Sequence, residues 1–110
     1  VSVLQAVEFA RAGYRVAIIG DGASRTHLPE AEADAGMDAT KVRRASGCAR
    51  IDFRSGGRLT FHRSPDNTRG YSLDVAYLMS PDLAAAPDAM RTIEPCFATS
   101  PLGFRVEVIA

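Results

Sequence analysis

Two cysteines, two histidines and no net charge mark this chain of 110 residues. Each scarcity excludes something. Cys48 and Cys96 stand far apart, and one pair cannot make the disulfide framework of a small secreted domain. His27 and His62 are equally scattered. No close-spaced pair such as C-x2-C opens a tetrahedral zinc site, so neither a metal nor another cofactor is expected. Both thiols are read as satisfied or half-buried side chains. The 13 basic and 13 acidic side chains cancel, which leaves no field to recruit nucleic acid, a membrane or an acidic substrate from a distance. No apolar run approaches the roughly 18 residues of a membrane span. The opening VSVLQAVEFARAGYR has no basic leader ahead of a long apolar stretch. The expected location is therefore the cytoplasm, and no membrane partner is expected.

What is present suits one folded domain over residues 1–110. Apolar residues make up 46% and charged residues 24%, a balance that excludes a wholly disordered chain. The length fits a single core of about five strands with two helices. All the basic residues except Lys41 are arginine. Arginine suits forked pairing with carboxylate or phosphate, although GC-rich coding yields the same bias.

VLQAVEFARA (3–12) has helical spacing, with Ser2 placed to cap it and Gly13 to end it. YRVAIIGDG follows, and the continuous run Val16 to Ile19 fits a strand buried on both faces. PEAEADAG (29–36) reads as a short second helix begun by Pro29; residues 37–49 have no clear reading. ARIDF (49–53) and RLTFHR (58–63) alternate around a Gly-rich turn, as a hairpin does, and Gly56-Gly57 permits a primed turn. After a loop at 64–72, LDVAYLM (73–79) reads as a central strand. A helix is expected near 83–94, capped by Asp82, with Pro87 kinking it or starting it. FRVEVIA (104–110) is a last strand. The fold class is thus α/β: a small, mostly parallel open sheet with a β-hairpin and flanking helices.

Three constellations are candidates for chemistry. Gly20-Asp21-Gly22 stands just past a buried strand, where open α/β sheets bind ligands, but it matches neither G-x-G-x-x-G nor the lysine-bearing phosphate loop. Arg63, Arg69 and Gly70 bracket a turn-rich loop; the arginines suit phosphate or carboxylate, or else pair with Asp66 or Asp74 and pin the loop. Together Gly20, Asp21, Gly22, Arg63, Arg69 and Gly70 form a candidate nucleotide- or anion-binding set. Third, Asp52, His62 and Asp74 are the acids and histidine available for hydrolysis, without the G-x-S-x-G elbow. Arg43, Arg44, Arg50 and Arg54 are the components of a basic patch, should nucleic acid bind.

GGRLTFHRSPDNTRGYSLDVAYLMSPD (56–82) resembles the middle of the ATPase domain of phage large terminases and related helicase-like P-loop NTPases. In that family a hairpin leads to a strand, an Arg-Gly loop, then an apolar strand ending in two acids, the Walker B motif. Here the matching stretches are RLTFHR, Arg69-Gly70 and DVAYLM. AVEFARAGYRVAIIG is similar to the helix after the phosphate loop and the next core strand. TIEPCFATSPLGFRVEVIA is similar to the helix and strand before the coupling motif. The resemblance implies a truncated P-loop NTPase-like core from a phage or prophage. The lysine-bearing loop would precede residue 1, and any coupling motif or nuclease domain would follow residue 110. The two Walker B acids fall on Ser80 and Pro81.

Phosphoryl transfer rests on positioning and electrostatics at metal-bound phosphates, so without those acids ATP hydrolysis by this chain alone is not expected, and no catalytic residue is assigned. The expected function is a non-catalytic protein-interaction domain, with a protein partner or self-association. The alternatives are a nucleotide- or nucleic-acid-binding module using the strand-end Gly/Arg set, and an enzyme of unrecognised class.

Overall fold

The computed structural model describes residues 3–44 and 49–109. Ser2, Cys48 and Ala110, named above, lie outside the described residues. Helix α1 (Val3–Arg11) buries Val3, Ala6, Val7 and Ala10, the stripe its spacing predicts, and Gly13 closes it at φ +104°. The strands are β1 (Arg15–Ile19), β2 (Ala39–Arg43), β3 (Arg50–Phe53), β4 (Arg58–His62), β5 (Val75–Leu78) and β6 (Val106–Val108). They form one six-stranded sheet in the order β2-β3-β4-β1-β5-β6. β1 runs parallel to both β4 and β5, and β5 parallel to β6. β2, β3 and β4 are antiparallel to one another in turn. The chain is therefore a small α/β domain with a mixed, mostly parallel open sheet flanked by helices.

Two apolar layers hold the sheet. On one face α1 and α2 (Ala23–Ala35) cover Val16, Ile18, Ile51, Leu59, Phe61 and Tyr77. On the other, α4 (Pro87–Ile93) and the turn after it set Ile93, Cys96 and Phe97 against Ala17, Ile19, Ala76 and Leu78. β1 and β5 are covered on both sides, which is why their sequences are continuously apolar. Each fully buried Ile, Leu or Val there contributes about 1.5–3 kcal/mol. The Cys96 thiol is buried and donates to the Thr68 carbonyl at 3.2 Å.

Several expectations are corrected. α2 starts at Ala23, six residues before Pro29, and carries Pro29 inside it. The interior proline loses one backbone hydrogen bond. Leu28 and the small Ala31 and Ala35 still bury against the core. Residues 39–43 of the unassigned stretch form β2, an edge strand that adds a third member to the hairpin. The β3–β4 turn is not primed. Gly56 donates to the Phe53 carbonyl at 2.9 Å, and among the described residues no non-glycine has positive φ. The turn therefore has ordinary central residues and Gly56 in the left-handed position at φ +93°, the bulged form of hairpin loop. Of the two readings of Pro87 the structure takes the second, a helix start: α4 begins there and a separate short helix, α3 (Pro81–Ala85), precedes it, the two parted at Ala86, whose ψ of 112° suits a residue before proline. Ser80, not Asp82, caps α3: its Oγ accepts from the Asp82 amide at 3.1 Å.

Asp74 does not pair with Arg63 or Arg69. Its side chain is only 5% exposed and grips Arg15. It accepts from the Arg15 backbone N–H at 2.8 Å and from Nε and Nη2 at 3.1 Å each. The Asp74 amide donates back to the Arg15 carbonyl at 2.7 Å. This clamp fixes the start of β5 beside the start of β1. Burial pushes the Asp74 carboxyl up, but hydrogen bonds from Arg15 and Ser100 outweigh it, and its pKa is held below the ordinary value.

Candidate functional site: a strand-end cleft and two open sheet edges

β1 and β4 finish side by side, with Ile19 opposite His62. Beyond them the chain exits through Gly20-Asp21-Gly22 into α2 and through Arg63 into the 65–68 turn. The Gly20 amide donates to the His62 carbonyl at 2.9 Å and ties the exits together. A side chain at Gly20 has no room: its Cβ would stand 2.7 Å from Met79, the first residue past β5.

Between the exits lies a cleft of about 550 Å³, lined by Asp21, Gly22, Ser24, Arg25, His62 and Arg63 among others. Arg25 and Arg63 form no ion pair among the described residues. The cleft thus combines two unneutralised guanidinium groups with the N–H groups opening α2, an arrangement that suits a small anion. Asp21 adds a carboxylate to the same rim and pairs with neither arginine among the described residues. His62 is buried at the base. Its Nδ1 lies 3.1 Å from the Asn67 carbonyl and its Nε2 2.8 Å from the Thr60 hydroxyl. Burial lowers its pKa, partly offset by the bond to Asn67. The neutral ring donates from Nδ1 to Asn67, and its edge meets Tyr71 with centroids 4.7 Å apart.

Of the residues read from sequence as one set, Gly20, Asp21, Gly22 and Arg63 do meet. Arg69 and Gly70 do not join them. They line a separate cleft of about 500 Å³ with Arg15, Arg58 and Tyr71, at the starting ends of β1 and β4. The reason is topological: β5 runs parallel to β4, so the chain must travel back along the sheet before β5 begins. The loop does this with Thr68 buried and bonded to the Pro65 carbonyl at 2.6 Å. Arg69 is left beside Asp66 at 3.8 Å, both exposed. A helix start at Pro29 leaves Arg25 in a loop, whereas the observed start after Gly22 sets it in the first turn of α2.

The other sequence candidates disperse. Asp52 lies between Arg58, at 2.8 Å, and Arg50, at 3.5 Å. Asp74 is in its clamp at the starting ends of the strands, while His62 is at the finishing ends. The three do not converge. Ser80 and Pro81 begin α3, as cap and first residue. Among the described residues no group of three or more His, Cys, Asp or Glu is placed to hold a metal ion. The four arginines of the suggested basic patch divide: Arg43 stands opposite Arg50 across β2–β3, Arg44 pairs with Glu32, and Arg54 donates to the Met37 carbonyl.

The sheet has two outer edges, β2 and β6. On β6 the Arg105 carbonyl accepts from Ala76 and the Ile109 amide donates to Leu78. Strand alternation then turns the N–H and C=O of Val106 and Val108 outward. Beside this edge, α1 and β6 enclose a cleft of about 390 Å³ lined by Gln5, Glu8, Phe9, Tyr14, Arg105 and Glu107 among others. Arg105 lies over the Phe9 ring at 4.8 Å. Under this side of the sheet Tyr77 is fully buried, its hydroxyl has no hydrogen-bond partner among the described residues, and burial, with Glu107, pushes its pKa up to about 12.

No helix among the described residues is long and apolar enough to cross a membrane. No protein-family model matches the chain, and no curated protein matches it.

Proposed function

We propose that this chain is a non-catalytic protein-interaction domain, built on a P-loop NTPase-like core of phage or prophage origin, that accepts a partner's strand at β6. The observation carrying the reading is the open β6 edge, whose outward backbone groups at Val106 and Val108 are strong donors and acceptors with no partner among the described residues. The parallel run β4-β1-β5-β6 with helices on both faces supports the comparison with an NTPase core. The end of β5 supports the non-catalytic part. Past Leu78 come Met79, packed against Gly20, and Ser80 and Pro81, committed to starting α3.

The partner is a second copy of the chain. Two β6 edges paired antiparallel about Val106 let that residue exchange both hydrogen bonds with its counterpart. The same register sets Arg105 opposite Glu107 of the other copy, twice, on the α1 side. Such isologous self-complementarity is the usual basis of a two-fold dimer. Sedimentation equilibrium tests it. Wild type should dimerise. Arg105→Glu or Glu107→Arg alone should abolish dimers, and the double swap should restore them. A chain that stays monomeric, or dimers indifferent to both reversals, would refute the reading. ATP turnover by the purified chain would contradict its non-catalytic part.

A second reading, an anion- or nucleotide-binding module at the strand-end cleft, is favoured by one observation, the pair of unneutralised arginines Arg25 and Arg63. It predicts saturable phosphate or nucleotide binding by calorimetry that is lost in Arg63→Ala and retained in Arg69→Ala. Equal effects of the two substitutions would count against it.

A further inference from the structure

The other edge of the sheet carries a different message. Among the described residues β2 pairs only with β3, and its register places Lys41 opposite Asp52, Val42 opposite Ile51 and Arg43 opposite Arg50. Val42 packs on the apolar layer beneath α2. By the strand's alternation, Lys41 and Arg43 project from the opposite face, and both residues are exposed.

The charges on that face do not balance. Arg43 and Arg50 are like charges in direct cross-strand opposition, an unfavourable pairing. The carboxylate among them is Asp52, and it is already shared by Arg50 and Arg58 at 3.5 and 2.8 Å. Lys41 and Arg43 form no ion pair among the described residues. Two cations at alternate positions of one strand therefore stand unneutralised beside an arginine of the next.

The backbone of β2 is open as well. The Phe53 amide donates to Gly57 and the Ala49 carbonyl accepts from Phe61, so the odd-numbered residues of β3 face β4. The even ones face β2, as the bond from the Arg54 amide to the Asp38 carbonyl confirms. Lys41 and Arg43, opposite Asp52 and Arg50, thus bond inward to β3. The N–H and C=O of Val42 point away from the sheet.

We propose that the β2 edge binds an extended, acidic segment of a partner protein, which adds as a seventh strand beside the six present. Its backbone bonds to Val42. Carboxylates at alternate positions meet Lys41 and Arg43 and relieve the Arg43–Arg50 opposition, while an apolar residue between them lies along Val42. This is strand addition with side-chain specificity of period two. Protein fits better than nucleic acid for two reasons. A phosphate backbone offers the outward Val42 groups acceptors but no amide donor. The chain's zero net charge also supplies none of the long-range attraction on which nucleic-acid binding depends. The inference is independent of the β6 dimer, because the two edges lie at opposite sides of the sheet.

Fluorescence anisotropy with a labelled, capped peptide of alternating glutamate and valine is the test, run against the full chain. Saturable binding should weaken with added salt, and the Val42 amide should become protected from exchange. Lys41→Glu with Arg43→Glu should lower affinity at least about tenfold and transfer preference to an alternating lysine–valine peptide. Both positions are exposed, and circular dichroism checks that the variant folds. Lys41→Gln with Arg43→Gln should weaken the acidic peptide without gaining the basic one. No saturable binding, or binding unaltered by the reversal, overturns the proposal. So does a single-stranded oligonucleotide that binds more tightly than the acidic peptide and displaces it, because the face would then read phosphate.

Discussion

Gly57 is where the hairpin meets the first helix. A Cβ built there would stand 1.9 Å from the Ala10 carbonyl oxygen and 3.0 Å from that of Tyr14. Neither obstacle is a movable side-chain tip. Ala10 lies in the last turn of α1, and the Tyr14 carbonyl already accepts from the Arg58 amide at 3.1 Å. Nearby, the Ser55 hydroxyl donates to the same Ala10 carbonyl at 3.1 Å. Gly57→Ala must therefore push the hairpin and α1 apart by about an ångström, opening the packing of Leu59 and Phe61 against Val7 and Ala10. Overpacking of this kind costs about 3 kcal/mol, a large part of the roughly 5–15 kcal/mol that holds a domain of this size. The control is Gly56→Ala, one residue away. Gly56 has φ +93° and nothing within 4 Å of its Cβ position, so alanine there meets only the left-handed backbone penalty, about 1–2 kcal/mol. Urea and thermal unfolding, each followed by circular dichroism, read both. The expected order is wild type, then Gly56→Ala, then Gly57→Ala, with the last melting roughly 15 °C below wild type. A Gly57→Ala protein as stable as Gly56→Ala would refute the close approach and the docking of the hairpin on α1.

Asp74→Asn leaves the Arg15 guanidinium without its carboxylate and should cost about 2–3 kcal/mol in the same assay. Because the Asp74 pKa is held down in the folded chain, its contribution is present above the ordinary carboxylate value and disappears as pH falls through the folded value. The acid limb of the stability profile should flatten in Asp74→Asn. Burial lowers the His62 pKa from 6.5, so below that pH the unfolded chain binds the proton more readily and stability falls. The slope reaches at most about 1.4 kcal/mol per pH unit, and His62→Gln should remove it. Ser80→Ala deletes the cap of α3 and should cost about 1 kcal/mol; no change in the urea midpoint would deny that capping role.

The central strands were legible because covering both faces demands unbroken apolar runs, as at Val16–Ile19 and Val75–Leu78. The hairpin was legible through its alternation. β2 was not, since an edge strand half in water, with Lys41, Arg43 and Thr40, has no apolar signature to read. The start of α2 was hidden by Pro29, whose usual place at a helix start outweighed Gly22 as a signal. Four of the six residues in the candidate anion set come together because Gly20–Gly22 and Arg63 both follow strands that end side by side. Arg69 and Gly70 share with Arg63 only nearness in sequence. That nearness fails because a parallel β5 obliges the loop to cross back over the sheet. The arginine pattern gave no hint of which guanidiniums would be paired, since partners such as Arg15 with Asp74 are distant along the chain.

Amide hydrogen exchange at β6, followed as a function of protein concentration, tests the interaction reading most directly. In dilute solution Val106 and Val108 should exchange fast while Ile109, bonded to Leu78 at 2.8 Å, stays protected. As the chain associates, Val106 and Val108 should become protected in step with the dimer population. Fast exchange of both at every concentration, even where the chain is dimeric, would place the interface elsewhere and contradict the account.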